Sequence, residues 1–263
     1  MVKADWKQKS IDIDGMELSY LKAGKGKPLL MFHEELGNPG WFHWQRELAE
    51  KYQLIVPLHP GFGVSPRIEW IRTVGDLANF YAQLLVRRGW VGADVIGFSF
   101  GGWIAAEMAA QNPGQFASLT LVAPLGIKPR QGAIRDLFAA PTEEYLAASV
   151  HDPEATPEFG QLFGGAVTPA QFELFQDATA EAGRLAWQPY MNNPALRNRL
   201  RLVRNLPTLI VWGEDDAVVP VSAAADYQAA IRGARLALFK NCGHRPELEQ
   251  TKEFLKKIKR HLS

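Results

Sequence analysis

Five short apolar runs, at 29–32, 54–56, 95–97, 119–123 and 209–212, constrain this chain more than anything else in it. None has a polar face, which is how strands read when both sides of a parallel sheet are covered. Helical patterns fill the gaps between them. The clearest is Leu77, Phe80, Tyr81, Leu84 and Leu85, spaced by threes and fours on one stripe; others run over about 41–51, 100–111 and 222–232. Strands alternating with helices predict an α/β fold, a mostly parallel twisted sheet joined by right-handed crossovers and flanked by helices. Ahead of it, Ile11, Ile13, Met16, Leu18 and Tyr20 alternate around Asp14-Gly15, the turn dipeptide of an antiparallel hairpin. A last helix is expected over 247–262, with Phe254, Leu255, Ile258 and Leu262 inward and a solvated basic face that complements the helix dipole.

The alternation breaks over 126–204. No buried-strand run occurs there, and prolines from Pro129 to Pro194 cut the stretch into short helices. It reads as a helical insertion, and its aromatics, among them Phe138, Tyr145, Phe163, Phe175 and Trp187, are too many for a segment facing only water.

With 47% hydrophobic residues and a net charge of +1 over 263 residues, the chain is apolar enough to fold and too balanced for the basic face of a nucleic-acid binder. The expected partner is a small molecule, and a homo-oligomer is compatible with the sequence. Its single cysteine, Cys242, rules out an intrachain disulfide and a four-cysteine zinc site. The six histidines lack metal-ligand spacing, so no metal is expected. A cytoplasmic protein without a membrane span fits the polar residues 1–10 and the absence of any apolar run of roughly 18 residues.

Gly97-Phe98-Ser99-Phe100-Gly101-Gly102 lies directly between an apolar strand and a helical stretch. Glycines two before and two after a serine let strand turn abruptly into helix, holding the hydroxyl exposed at a helix N-terminus, where N–H groups favour developing negative charge. The pattern lacks dinucleotide-fingerprint spacing, so no nucleotide cofactor is implied. A serine needs a base to take its proton. His244, in Gly243-His244-Arg245-Pro246, follows a strand-like run, where active sites of open α/β sheets collect. A base needs an acid in turn, and Glu214, Asp215 and Asp216 end the strand at 209–212.

Over nearly its whole length the chain resembles the α/β-hydrolase family, whose cap-bearing members run nucleophile, acid, base in the order Ser99, Asp216, His244. The resemblance selects Asp216, three residues after Gly213 in Trp212-Gly213-Glu214-Asp215-Asp216, and divides the chain into a core at 1–125, a helical cap at 126–204 and a second part of the core at 205–263. It implies a serine hydrolase of small or medium esters, thioesters or lactones with an apolar portion. Hydrolysis of a carbon–carbon bond in a ring-fission diketone and a low-turnover ligand-binding protein are the alternatives, and no cofactor is implied.

One stretch departs from the family. After the strand at 29–32 the chain reads His33-Glu34-Glu35-Leu36-Gly37, with Glu34 in place of a glycine. By position the N–H groups of Glu35 and Phe100 would form the oxyanion hole. An ionised carboxylate about 4 Å from an oxyanion costs roughly 4 kcal/mol at an effective dielectric near 20. Glu34 and Glu35 are therefore expected to point outward, or to have one member protonated, or to serve a bound water or a positive substrate group, with Glu34 as the substrate-binding candidate.

Overall fold

A computed structural model describes residues 6–165 and 168–262. Residues 1–5, the start of the polar N-terminal stretch, lie outside the described residues. The strands are β1 (Lys7–Ile13), β2 (Met16–Ala23), β3 (Lys27–Phe32), β4 (Tyr52–Pro57), β5 (Ala93–Phe98), β6 (Phe116–Val122), β7 (Thr208–Gly213) and β8 (Arg235–Phe239). They form one sheet in the order β1-β2-β4-β3-β5-β6-β7-β8. β1 and β2 pair antiparallel, as does β2 with β4, and every other neighbour is parallel. The expected α/β architecture is what the chain adopts. Asp14 and Gly15 both take positive φ (54° and 80°) between β1 and β2, as the hairpin dipeptide requires.

The helices before the insertion are α1 (His43–Ala49), α2 (Val74–Arg88) and α3 (Phe100–Gln111). Helix α2 shows why such segments fold locally. Thr73 caps its N-terminus in a reciprocal box with Asp76, Gly89 ends it at φ 65°, and Leu77, Phe80, Tyr81, Leu84 and Leu85 are all buried. Helix α3 carries no amphipathic stripe because nearly all of it is interior, from Phe100 to Ala109.

Between β6 and β7 lie α4 (Thr142–Ala148), a 3₁₀ turn at Phe159–Gly164, α5 (Pro169–Ala186) and α6 (Leu196–Leu200), with no named strand among the described residues of this stretch. Phe175, Ala178, Ala182 and Leu185 of α5 pack into the main core, which puts one side of the insertion against the body. Tyr145 is buried as well, whereas Phe138, Phe172 and Trp187 remain about half exposed.

After β7 come α7 (Ser222–Ala230), α8 (Pro246–Glu249) and α9 (Thr251–Leu262). The helix expected over 247–262 is thus broken at Gln250, whose φ and ψ of −133° and 49° are non-helical. The break leaves Glu249 free to serve the loop before it. Among the described residues no helix is long and apolar enough to cross a membrane.

Strand order reverses beside β3: β4 lies on one side of it and β5 on the other. Loops leaving the carboxyl ends of β3 and β5 therefore diverge and open a crevice, the place where open α/β sheets bind ligands. Because Phe32 pairs with Gly97, Glu34 and Glu35 leave β3 at the level where Ser99 leaves β5.

Candidate active site

Ser99 sits between β5 and α3 with φ 47° and ψ −110°. That is a strained conformation for a residue bearing a Cβ, of the kind held only where its surroundings enforce it. Its N–H donates to the Val122 carbonyl at 2.9 Å, and its own carbonyl accepts from Trp103 and Leu125, both at 3.1 Å. The flanking glycines allow the turn, as expected, by the space they leave. Gly97 and Gly101 keep ordinary φ, and what they supply is room. A Cβ on Gly97 would stand 2.5 Å from the Gly101 carbonyl oxygen, and one on Gly101 2.3 Å from that of Phe32. The positive φ of the turn falls on Ser99 itself.

His244 lies in the loop between β8 and α8. Close packing brings it in: a Cβ on Gly213, at the end of β7, would stand 2.0 Å from the Gly243 carbonyl oxygen. The Glu249 carboxylate gathers the loop by accepting from the N–H groups of Gly243 (2.9 Å), Arg245 (3.2 Å) and His151 (2.7 Å). The His244 N–H donates to the Ser149 carbonyl at 2.9 Å.

Nδ1 of His244 donates to Oδ2 of Asp216 at 2.7 Å, both side chains being buried. The other carboxylate oxygen of Asp216 accepts from Val218 and Val219 N–H, each at 2.8 Å, so the acid is held in place. Asp215, the rival acid, turns to His151 at 3.2 Å on the half-exposed surface. Nε2 of His244 and Oγ of Ser99 are both buried and hydrogen-bond to nothing among the described residues. Burial pulls the imidazole pKa down, but Asp216 and, next, Glu35 outweigh burial and the opposing Arg245 charge and raise it to about 9.

Glu34 and Glu35 do not point outward. Both are buried, at 4% and 1% exposure, and neither takes a positive φ; the left-handed residue of the loop is Gly37, at φ 100°. Glu34 is committed to a buried ion pair with Arg245, whose Nη2 donates to its Oε1 at 2.6 Å, and Arg245 Nε donates to Ser149 Oγ at 2.7 Å. Its carboxylate, expected at the substrate, is thereby occupied. Burial still raises the Glu34 pKa against the pull of Arg245.

Glu35 accepts from the Tyr145 hydroxyl, 2.5 Å from its Oε1, while its Oε2 is buried without a partner. Burial pushes its carboxyl pKa up; the His244 imidazole, the nearby Ser99 hydroxyl, Tyr145 and its own backbone N–H outweigh burial and hold it below the ordinary range. Serine and carboxylate stand close enough to interact without closing a hydrogen bond. The amide expected to receive an oxyanion thus has the residue's own charge beside it.

Burial also lifts Glu247 to about 7, with its Oε2 unpartnered. His33 and His59 are structural. His33 Nδ1 donates to the Glu34 carbonyl at 2.8 Å while Nε2 accepts the His59 N–H at 3.0 Å, and burial lowers its pKa to about 4. Among the described residues no three His, Cys, Asp or Glu side chains are grouped to hold a metal.

A cavity of about 380 Å³ opens between core and insertion, lined on one side by His33, Leu36 and Phe62 and on the other by Phe163, Leu174 and Phe175. Its lining is mostly apolar, and it shares His33 with the loop that carries Glu35.

Arg245 and Tyr145 carry this site's electrostatics, and the sequence reading assigned a role to neither. Arg245 offered only its place directly after the base. Tyr145 stood out only as one of the insertion's many aromatics, with nothing to mark it as the partner of Glu35.

Known proteins bear on this geometry. Curated relatives include the dihydrolipoyllysine-residue acetyltransferase component of the acetoin cleaving system of Cupriavidus necator, 29% identical over 95% of this chain and 68% of its own length. A second is 2-hydroxy-6-oxo-6-phenylhexa-2,4-dienoate hydrolase of Comamonas testosteroni, 27% identical over 92% of this chain and 90% of its own. Among solved structures, a bacterial membrane phospholipase A superposes with a TM-score of 0.72 at 26% identity, covering 98% of this chain and 86% of that one. The sequence profile of the alpha/beta hydrolase family matches residues 29–257, and the chain belongs to that family.

Proposed function

We propose that this alpha/beta hydrolase is a serine hydrolase that cleaves carboxylic esters, thioesters or lactones through Ser99, His244 and Asp216. The observation that carries the reading is the strained Ser99, its buried hydroxyl unengaged, in one site with an imidazole whose far nitrogen is fixed by Asp216 at 2.7 Å. Ser99 Oγ bonds to the substrate carbonyl carbon as its proton passes to His244 Nε2. The oxyanion that results is received by N–H groups of the loop at Glu35 and the α3 N-terminus at Phe100. As the bond from the acyl carbon to the leaving group breaks (carbon–oxygen in an ester or lactone, carbon–sulfur in a thioester), His244 returns the proton to that group. Water then attacks the acyl-enzyme, again giving its proton to His244, and Ser99 is restored. Asp216 orients the ring and stabilises its charged form. The apolar part of the substrate enters by the cavity under α5.

The relatives that hydrolyse dienoates act on anions, as their names state. Two buried glutamates in the β3 loop, only one of them paired with an arginine, oppose an anionic substrate here, which favours the ester reading over carbon–carbon cleavage. The test is covalent labelling. A fluorophosphonate probe should form an adduct on the peptide carrying Ser99, and p-nitrophenyl acetate should be turned over by the same preparation. No adduct at any pH from neutral to 9 would overturn the assignment.

The imidazole must be neutral to accept a proton, and its pKa of about 9 leaves it protonated at neutral pH. Activity is therefore expected to climb roughly tenfold per pH unit below about 9 and to level off above it. The groups setting this limb are Asp216 and Glu35, which raise it, and Arg245, which lowers it. A pH profile of kcat/KM for a neutral ester, measured beside that of Glu35→Gln, checks the cause: the limb should move to lower pH in the variant.

A further inference from the structure

We propose that the Glu35 carboxylate is the subsite for a protonated amine carried by the substrate on the carbon next to its scissile carbonyl. The inference rests on the serine-hydrolase reading and narrows its substrate class. Among the buried polar atoms without partners in this region, which also include Arg245 Nη1 and Glu247 Oε2, are Ser99 Oγ, His244 Nε2 and Glu35 Oε2. Ser99 Oγ and His244 Nε2 are the reacting atoms of an acyl transfer. Glu35 Oε2 plays no part in such a transfer, and left as it is it opposes the transfer.

The charges around it make the same point. Asp216 is offset by two backbone N–H groups and the imidazole. Glu34 is offset by Arg245 at 2.6 Å. Glu35 has a phenol on one oxygen, no full hydrogen bond on the other, and only the Ser99 hydroxyl, its own N–H and the imidazole nearby. When His244 loses its proton to become a base, Glu35 also loses the positive charge that most lowers its pKa. A buried anion so placed needs a counter-charge at the moment of reaction, and the substrate is what arrives then. An ammonium group on that neighbouring carbon, two bonds from the carbonyl carbon, is to meet Oε2 while the carbonyl carbon faces Ser99. Drawing the carboxylate onto the ammonium takes it off its own N–H, which frees that amide for the substrate oxygen and neutralises the charge opposing the oxyanion. The Tyr145 hydroxyl, donated from α4, keeps the carboxylate aimed inward.

Two isosteric esters test this. L-alanine benzyl ester and benzyl isobutyrate differ by an ammonium in place of a methyl group, and release of benzyl alcohol at pH 7 follows both. The wild-type protein should prefer the alanine ester in kcat/KM by about ten- to a hundredfold, the worth of one charged hydrogen bond. In Glu35→Gln the ratio should fall to near one, with faster turnover of the isobutyrate. A wild-type ratio at or below one, or a ratio unchanged in Glu35→Gln, overturns the proposal. Should the variant not fold, inhibition of wild-type p-nitrophenyl acetate hydrolysis by alaninamide and by isobutyramide decides: the cation should bind more tightly, and equal inhibition overturns the proposal. Turnover of p-nitrophenyl acetate with no preference for the amine sinks this inference alone, whereas absence of turnover and of a Ser99 adduct sinks the hydrolase reading beneath it.

Discussion

Replacing Ser99 by alanine is expected to lower kcat by on the order of a millionfold, the loss seen when one member of a cooperating triad is removed. His244→Ala should cost about as much. Combining the two should cost little more, because either change already stops the proton transfer. Asp216→Asn keeps the ring in place but allows the wrong tautomer, with an expected loss on the order of ten thousandfold. Steady-state kinetics on one ester, with all four variants checked for a native fold, measures these effects. Near-additive losses would mean that the three residues do not act as one unit. The same position makes a stability prediction of opposite sign. Ser99 sits at φ 47° and ψ −110°, a conformation costing roughly 1–3 kcal/mol for a residue with a Cβ. Glycine relieves it, less about 0.5–1 kcal/mol for the added freedom of its unfolded chain. Ser99→Gly should therefore be inactive and yet melt higher than Ser99→Ala.

What could be read from the sequence divides by distance along the chain. The strand-turn-helix around Ser99 is local: its glycines lie two residues away, and the close approach of backbone to backbone that they permit is written in six letters. The hairpin at Asp14-Gly15 and the stripe on α2 are local in the same way. Asp216 and His244 each follow a strand, which places both at the carboxyl edge of the sheet without knowledge of any contact. The direction of Glu34 and Glu35 is set by partners 211 and 110 positions away, Arg245 and Tyr145. Nothing near residue 34 announces that an arginine will arrive there, so outward carboxylates were the reasonable expectation. The break at Gln250 is hidden for a related reason. Its surroundings have helical spacing, and the disruption comes from Glu249 turning back to three N–H groups of the neighbouring loops.

The Arg245–Glu34 pair, only one member of which stood out in the sequence, is also a point where the fold is vulnerable. Arg245 is 2% exposed and its partner Glu34 4%, so Arg245→Met leaves a carboxylate buried without a counter-charge. Breaking a buried pair on one side costs about 3–5 kcal/mol, or roughly 10 °C in Tm for a chain of this size. The loss should depend on pH, with a sign fixed by Glu34. Burial raises its pKa above the ordinary 4.5 while Arg245 pulls it down, so removing the arginine raises it further. Between 4.5 and the raised value the folded form holds a proton that the unfolded form has released. Stability then falls as pH rises through that window. The deficit of Arg245→Met relative to wild type should accordingly be smallest near pH 4.5 and widen toward neutrality. Adding Glu34→Gln removes the stranded charge, and the double variant should regain most of the loss at pH 7, since a buried pair replaced on both sides is close to neutral. Thermal melts of the four proteins of this cycle from pH 4.5 to 8 measure it. A deficit independent of pH, or a double variant no better than Arg245→Met, would place the cost in lost packing and in the hydrogen bond to Ser149 Oγ instead of in the charge on Glu34.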